Sequence, residues 1–174
     1  MFLRLLTLFS IVGCAYALPA VVSQDTQANT SCNAPRYSQL IGSIQEIMFI
    51  QKQELQGLQT LLALSTQNSV VKAPANGTQS DFQLNQINIA SIEQKAISVR
   101  ERSQRLADEL SSPSAMGLAT IAQWQVAVMI DVQSLKGGGV RETKILEGLV
   151  GRVMATMDQT EGNLKMVGRG CRSG

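Results

Sequence analysis

From Cys32 to Cys171 apolar residues return at steps of three and four, and no segment sustains the every-second-residue alternation of a strand; this periodicity restricts the chain to helices. Asn33 can cap a first helix that opens with Ala34 and Pro35. It carries Tyr37, Leu40, Ile41, Ile44, Ile47, Met48, Leu55, Leu58, Leu61 and Leu62 to about Thr66, weakened at Gly57. Asn68 to Gln79 holds Pro74 and Gly77 without periodicity and reads as an exposed connection. A second helix starts near Ser80 with Phe82, Ile89, Ile92, Ala96, Val99, Leu106 and Leu110 on its stripe, Asn85 and Ser103 taking the missing core places. Ser112-Pro113 reads as a cap with proline at the first helical position, opening a third helix to about Lys136. Gly137 to Gly139 stop it, because glycine readily takes the left-handed conformation of helix ends. A fourth helix carries Leu146, Leu149, Val150, Val153, Met157, Leu164 and Val167.

Four helices with short connections imply an all-α fold, an antiparallel up-down-up-down four-helix bundle. In that arrangement the start of the first helix and the end of the fourth share one end of the bundle, where Cys32 and Cys171 fall. A disulfide between them would close the bundle and stabilise it by roughly 4 to 5 kcal/mol at most on the chain-entropy model.

The first residues bear on the compartment. Met1-Phe2-Leu3-Arg4, the apolar run Leu5 to Val12 and Ala15-Tyr16-Ala17 follow the three-part pattern of a secretory signal peptide, cleaved after Ala17 or, alternatively, after Ala20. The expected organisation is a signal peptide over 1–17, a flexible lead-in over 18–31, the bundle over 32–171 and a tail over 172–174. No later segment reads as apolar for long enough to span a bilayer, so the expected product is extracellular and soluble. Loss of the leader removes Cys14 and leaves an even cysteine pair in an oxidising compartment. Two sequons, at Asn29 and Asn76, are candidate glycosylation sites. With Arg4 gone, 14 basic residues face 13 acidic ones, a balance that argues against a polyanion partner, nucleic acid included.

The chain has no histidine, so Ser-His-Asp and Cys-His nucleophiles and the Glu-x-x-His pairs of di-iron bundles cannot be built. No catalytic, metal or cofactor residue is assigned, and the chain is not expected to be an enzyme. Glu101, Arg102, Arg105, Asp108 and Glu109 read as a solvated face, with Glu101–Arg105 and Arg105–Glu109 four apart. Lys136-Gly137-Gly138-Gly139 has the wrong order for a phosphate loop. Met116, Met129, Met154, Met157 and Met166 read chiefly as core.

The third helix stands apart. Its apolar residues cover an arc of about 240°, against the stripe of roughly 100° or more that a surface helix needs. Either its neighbours cover it on more than one side, the preferred reading, or part of it meets a ligand or partner. In the second case Trp124, Val128 and Met129 should line an apolar cleft against Met154 and Met157, with Arg141 or Lys144 placed to meet a carboxylate head group.

Cys32-Asn33-Ala34-Pro35-Arg36-Tyr37 opening one helix, Ser112-Pro113-Ser114-Ala115-Met116-Gly117-Leu118-Ala119 opening another, and the lone Cys171 near the end resemble the small secreted proteins of filamentous fungi, two-cysteine helical chains without an assigned activity. The likeness covers about 32 to 171. It implies a secretion product met by a host or substrate surface, an extracellular interaction or effector-like protein. A second likeness, to fungal hydrophobic-surface-binding and cell-wall galactomannoproteins, implies an alternative role as a carrier of fatty acids or other apolar ligands.

Overall fold

The computed structural model describes residues 34–70 and 76–170; the expected signal peptide, the expected lead-in with Asn29, both Cys32 and Cys171, and residues 172–174 lie outside the described residues. Four α-helices make up the structure: α1 (Ala34–Val70), α2 (Asn76–Glu109), α3 (Ala115–Ser134) and α4 (Val140–Gly170), with no strand among the described residues. Each helix packs against two others, α1 and α3 both touching α2 and α4 and never each other. Cross-helix partners rise along one helix as they fall along its neighbour. Arg36 meets Glu109 and Ser43 meets Ser103 between α1 and α2. Gln86 meets Val132 and Arg100 meets Gln125 between α2 and α3, Asp131 meets Arg152 between α3 and α4, and Ser65 meets Thr143 between α1 and α4.

The buried residues keep a seven-residue repeat, the seam spacing of bundled helices. On α1 it runs Leu40, Ile44, Ile47, Gln51, Glu54, Leu58, Leu61 and Ser65; on α4 it runs Leu146, Leu149, Val153, Thr156, Thr160, Asn163 and Val167. Leu55 and Leu62, read from sequence as stripe members, flank this seam half-buried.

Several boundaries differ from the sequence reading. Helix α1 continues to Val70 and α2 begins at Asn76, so the connection is shorter than Asn68–Gln79. Pro113 lies in the turn before α3 instead of at its first position. There the Ser112 carbonyl accepts the Ala115 N–H, the Ser114 carbonyl accepts the Leu118 N–H, and the Ser112 and Ser114 hydroxyls stand 3.0 Å apart. Asn85 is no core residue; its amide turns back to the Asp81 carbonyl. The glycine stop takes the expected conformation, with Gly137 at φ +103° and Gly139 at φ +113°. Glu142 closes that turn, its carboxylate accepting the Lys136 N–H at 2.7 Å and also the Gly138 N–H.

Arg102 and Glu109 at the end of α2 pair across helices, with Glu46 and Arg36, and Glu101 meets its neighbour Arg100 along α2 in place of the expected Arg105. Two glycines allow close approach. A Cβ on Gly57 would overlap Ile89, and one on Gly117 would overlap the Asn163 and Gln159 side chains of α4. Asn163 is fully buried and its Oδ1 accepts from Gln159, so it has little room to withdraw.

Gly117→Val should therefore destabilise the protein by about 1–3 kcal/mol, the usual cost of overpacking. Gly148, with nothing near its Cβ position, should gain up to about 1 kcal/mol of helix propensity on Gly148→Ala. Urea denaturation of both variants checks the pair. Equal effects would contradict the close α3–α4 contact.

Candidate functional site

The core is two apolar clusters separated by a polar belt, and every helix contributes to the interruption. One cluster holds Ile47, Ile50, Ala96, Val99, Leu118 and Ile121. The other holds Leu58, Ile89, Val128, Val132, Leu149 and Val153. Between them lie Gln51 and Glu54 on α1, Glu93 on α2, Gln125 on α3, and Thr156 and Thr160 on α4, each at most 4% exposed. The threonine hydroxyls return to their own helix, Thr156 donating to the Val153 carbonyl and Thr160 to the Thr156 carbonyl. Gln125 Oε1 accepts from Arg100 Nε at 3.2 Å.

Glu54 and Glu93 face each other across the α1–α2 seam with no ion-pair partner. Ionised carboxylates this deep would each cost several kcal/mol, so they hold protons instead. Burial, aided by the hydrogen bond and charge of Glu93, pushes the Glu54 carboxyl up to about 11, and burial likewise raises Glu93. Were both ionised, Glu54 Oε1 and both Glu93 oxygens would be buried acceptors with no donor, so any hydrogen bond between the two needs a proton on one carboxyl. Gln51 Oε1, one helical turn from Glu54, is buried without a partner. Arg100, half-sheltered, is lowered by its own desolvation against the opposing pull of Glu101. A pair of protonated acids between greasy layers can fix helix register; among the described residues, no group of three or more His, Cys, Asp or Glu side chains could hold a metal ion.

The other departure from a plain bundle is on the outside. Helix α3 buries Gly117, Leu118, Ile121, Gln125, Val128 and Val132 and leaves an apolar row facing solvent. Met116 is 84% exposed, Val126 56% and Ile130 60%, with Ala119 and Gln123 on the same row. Coverage on more than one side, the preferred sequence reading, is thus incomplete. The reading that no later segment is apolar enough to span a membrane is also corrected: Ala115–Ser134 passes by length and composition, and only 33% of that window is buried. Its single charge, Asp131, is paired with Arg152 at 3.1 Å.

The residues expected to form a cleft are dispersed in depth. Val128 is buried in the second core cluster and Met157 packs on that cluster, whereas Trp124 and Met129 are half-exposed and Met154 is 53% exposed. Met116 and Met154 therefore depart from the expectation that the methionines are core. Arg141 lines a surface depression of about 230 Å³ with Ser134, Lys136, Glu142 and Ile145, beside the glycine turn. Lys144 is exposed one turn further on. Asn76 falls in the first turn of α2.

Glu54 and Glu93 escaped the sequence reading because an acidic residue between stripe positions reads as a solvated flank. A strict seven-residue register through Leu40, Ile47, Glu54 and Leu61 would have found the first of them. No family model, no curated protein and no solved structure matches this chain.

The carboxyl pair sets the pH dependence of stability. Between the ordinary value of 4.5 and about 11 the folded protein keeps a proton on Glu54 that the unfolded chain has released. Stability is then fullest below 4.5 and falls as pH rises, by up to about 1.4 kcal/mol per pH unit for one proton. Melting temperature should decline from pH 5 to pH 9, and Glu54→Gln should flatten the slope. A wild-type profile that rises over this range would contradict the burial of neutral acids.

Proposed function

We propose that the protein is a secreted, non-enzymatic interaction protein, effector-like in acting outside the cell, that meets its partner through the outward face of α3. In this reading the scaffold is an antiparallel up-down-up-down bundle closed by a Cys32–Cys171 disulfide. The leader Met1 to Ala17 directs export, and Asn29 and Asn76 are its acceptor sites for glycans. The supporting observation is the exposed row of Met116, Val126 and Ile130 on a helix packed against α2 and α4. Contiguous exposed apolar surface on a soluble domain marks contact sites. The lack of histidine and the membership of Glu54 and Glu93 in the core, away from any open site, favour binding over catalysis. Fungal small secreted proteins remain the family it resembles.

The second reading is a carrier of fatty acids. It is favoured by the partial exposure of Trp124, Met129 and Met154, with Arg141 and Lys144 just past the glycine turn to meet a carboxylate.

Hydrophobic-interaction chromatography on octyl resin separates α3 from other exposed apolar positions. Val126→Gln with Ile130→Gln should shorten retention at least twice as much as the control pair Leu84→Gln with Ile87→Gln on α2, whose residues are equally exposed. Equal shifts would remove the case for α3. Saturable quenching of Trp124 emission by a long-chain fatty acid would instead favour the carrier. Peptide mapping of the secreted protein should recover Cys32 linked to Cys171, and reduction should lower the melting temperature; two free thiols would contradict the closed scaffold.

A further inference from the structure

We infer that the occupant of the α3 face is an anionic lipid surface, on which the helix lies in the plane of the interface with the glycine turn gripping head groups. This deepens the reading of α3 as the contact surface and rests on it.

Two observations converge. The first is extent: at 1.5 Å per residue a helix of this length is about 30 Å long, and its outward row of Met116, Ala119, Gln123, Val126 and Ile130 carries no charge and only one polar side chain, Gln123. The sole ionised side chain of α3, Asp131, is neutralised by Arg152. A lipid interface accepts such a face because apolar side chains enter the acyl boundary while the helix axis stays parallel to it.

The second is charge. Directly after α3, Lys136, Arg141 and Lys144 are all exposed, and the last two stand three residues apart on one face of the first turns of α4. The acid among them, Glu142, spends its carboxylate on the Lys136 and Gly138 backbone N–H groups. Glu147, exposed one turn beyond Lys144, is the nearest other acid along α4. A cationic tip at one end of an apolar row is the complement of an anionic interface, whose attraction for each nearby cation is about 1 kcal/mol. A protein groove would not require the cations to cluster beyond the end of the apolar row.

Trp124, the only tryptophan, is half-buried beside the core stripe of α3 and not on the outward row, so it serves as a reporter of the helix and not as an anchor. The inner half of α3 holds the core through Leu118, Ile121, Val128 and Val132, so the helix docks without leaving the bundle.

The test is flotation of the secreted protein with phosphatidylcholine vesicles containing 30% phosphatidylglycerol, and with phosphatidylcholine alone, while Trp124 emission is followed. The wild type should float with the anionic vesicles with a blue shift, bind pure phosphatidylcholine at least tenfold more weakly, and detach at high salt. Val126→Glu with Ile130→Glu should abolish binding. Lys136→Gln, Arg141→Gln and Lys144→Gln combined should weaken binding to the anionic vesicles about a hundredfold. Because those three side chains are exposed, this variant decides the matter even if the α3 variant misfolds, which circular dichroism would show. Absence of flotation, equal binding to both vesicle types, or wild-type binding by the triple variant overturns the inference. If vesicles fail to bind while the α3 substitutions still shorten retention on octyl resin, the lipid is wrong and a protein occupant takes its place. If retention is also unchanged, the α3 reading itself has failed.

Discussion

Each helix of this structure has only two neighbours, and that limit governs the rest. A helix flanked on two sides can bury one stripe, and α1, α2 and α4 are largely polar elsewhere, with Gln53 and Gln56 on α1, Lys95 and Gln94 on α2, and Glu147 and Asp158 on α4 exposed, although Phe49, Leu84, Ile87, Val140 and Met154 are exposed on them too. Helix α3 is apolar over a wider arc than α2 and α4 can cover, so Met116, Val126 and Ile130 face water. Burial of an isoleucine side chain contributes roughly 1.5–3 kcal/mol. The protein forgoes that contribution at Ile130, and a second surface placed against the face would recover it.

The interior shows the opposite bias. Where a continuous apolar seam could run, Gln51, Glu54, Glu93 and Gln125 divide it into two clusters. Polar groups at seam positions lower stability and specify alignment, as single buried polar residues do in coiled coils. Here a shift of α1 past α2 would separate the two carboxyls and leave each without its partner. Gly57 against Ile89 and Gly117 against Asn163 set alignment in the same way, by shape in place of hydrogen bonding. Register in this bundle is thus fixed at both the wet and the dry contacts.

Helix number, order and approximate limits were legible because the seam residues are mostly aliphatic and the breakers are strong: Gly137 and Gly139 both take positive φ. The start of α2 was not, since Asn76, Gly77 and Thr78 look like loop and are helical here by continuity with the stripe at Phe82. The belt was hidden for a chemical reason. Glutamate is almost always solvated, and Glu54 and Glu93 are tolerated inside because burial keeps them protonated. The width of the apolar arc on α3 was visible in the residues, whereas its direction was not, because that depends on where α2 and α4 sit. The methionines divided accordingly, Met157 inward and Met116 and Met154 outward.

Whether the outward face of α3 is where this protein meets its surroundings can be read residue by residue. Backbone amide resonances of the isotopically labelled secreted protein, recorded before and after addition of phosphatidylglycerol-containing bicelles, should shift at Met116, Ala119, Val126, Ile130 and through Lys136 to Lys144. Amides of the α1 seam at Leu40, Ile47 and Leu58 should stay in place. Shifts centred on α1, or spread evenly through the core, would contradict α3 as the contact face.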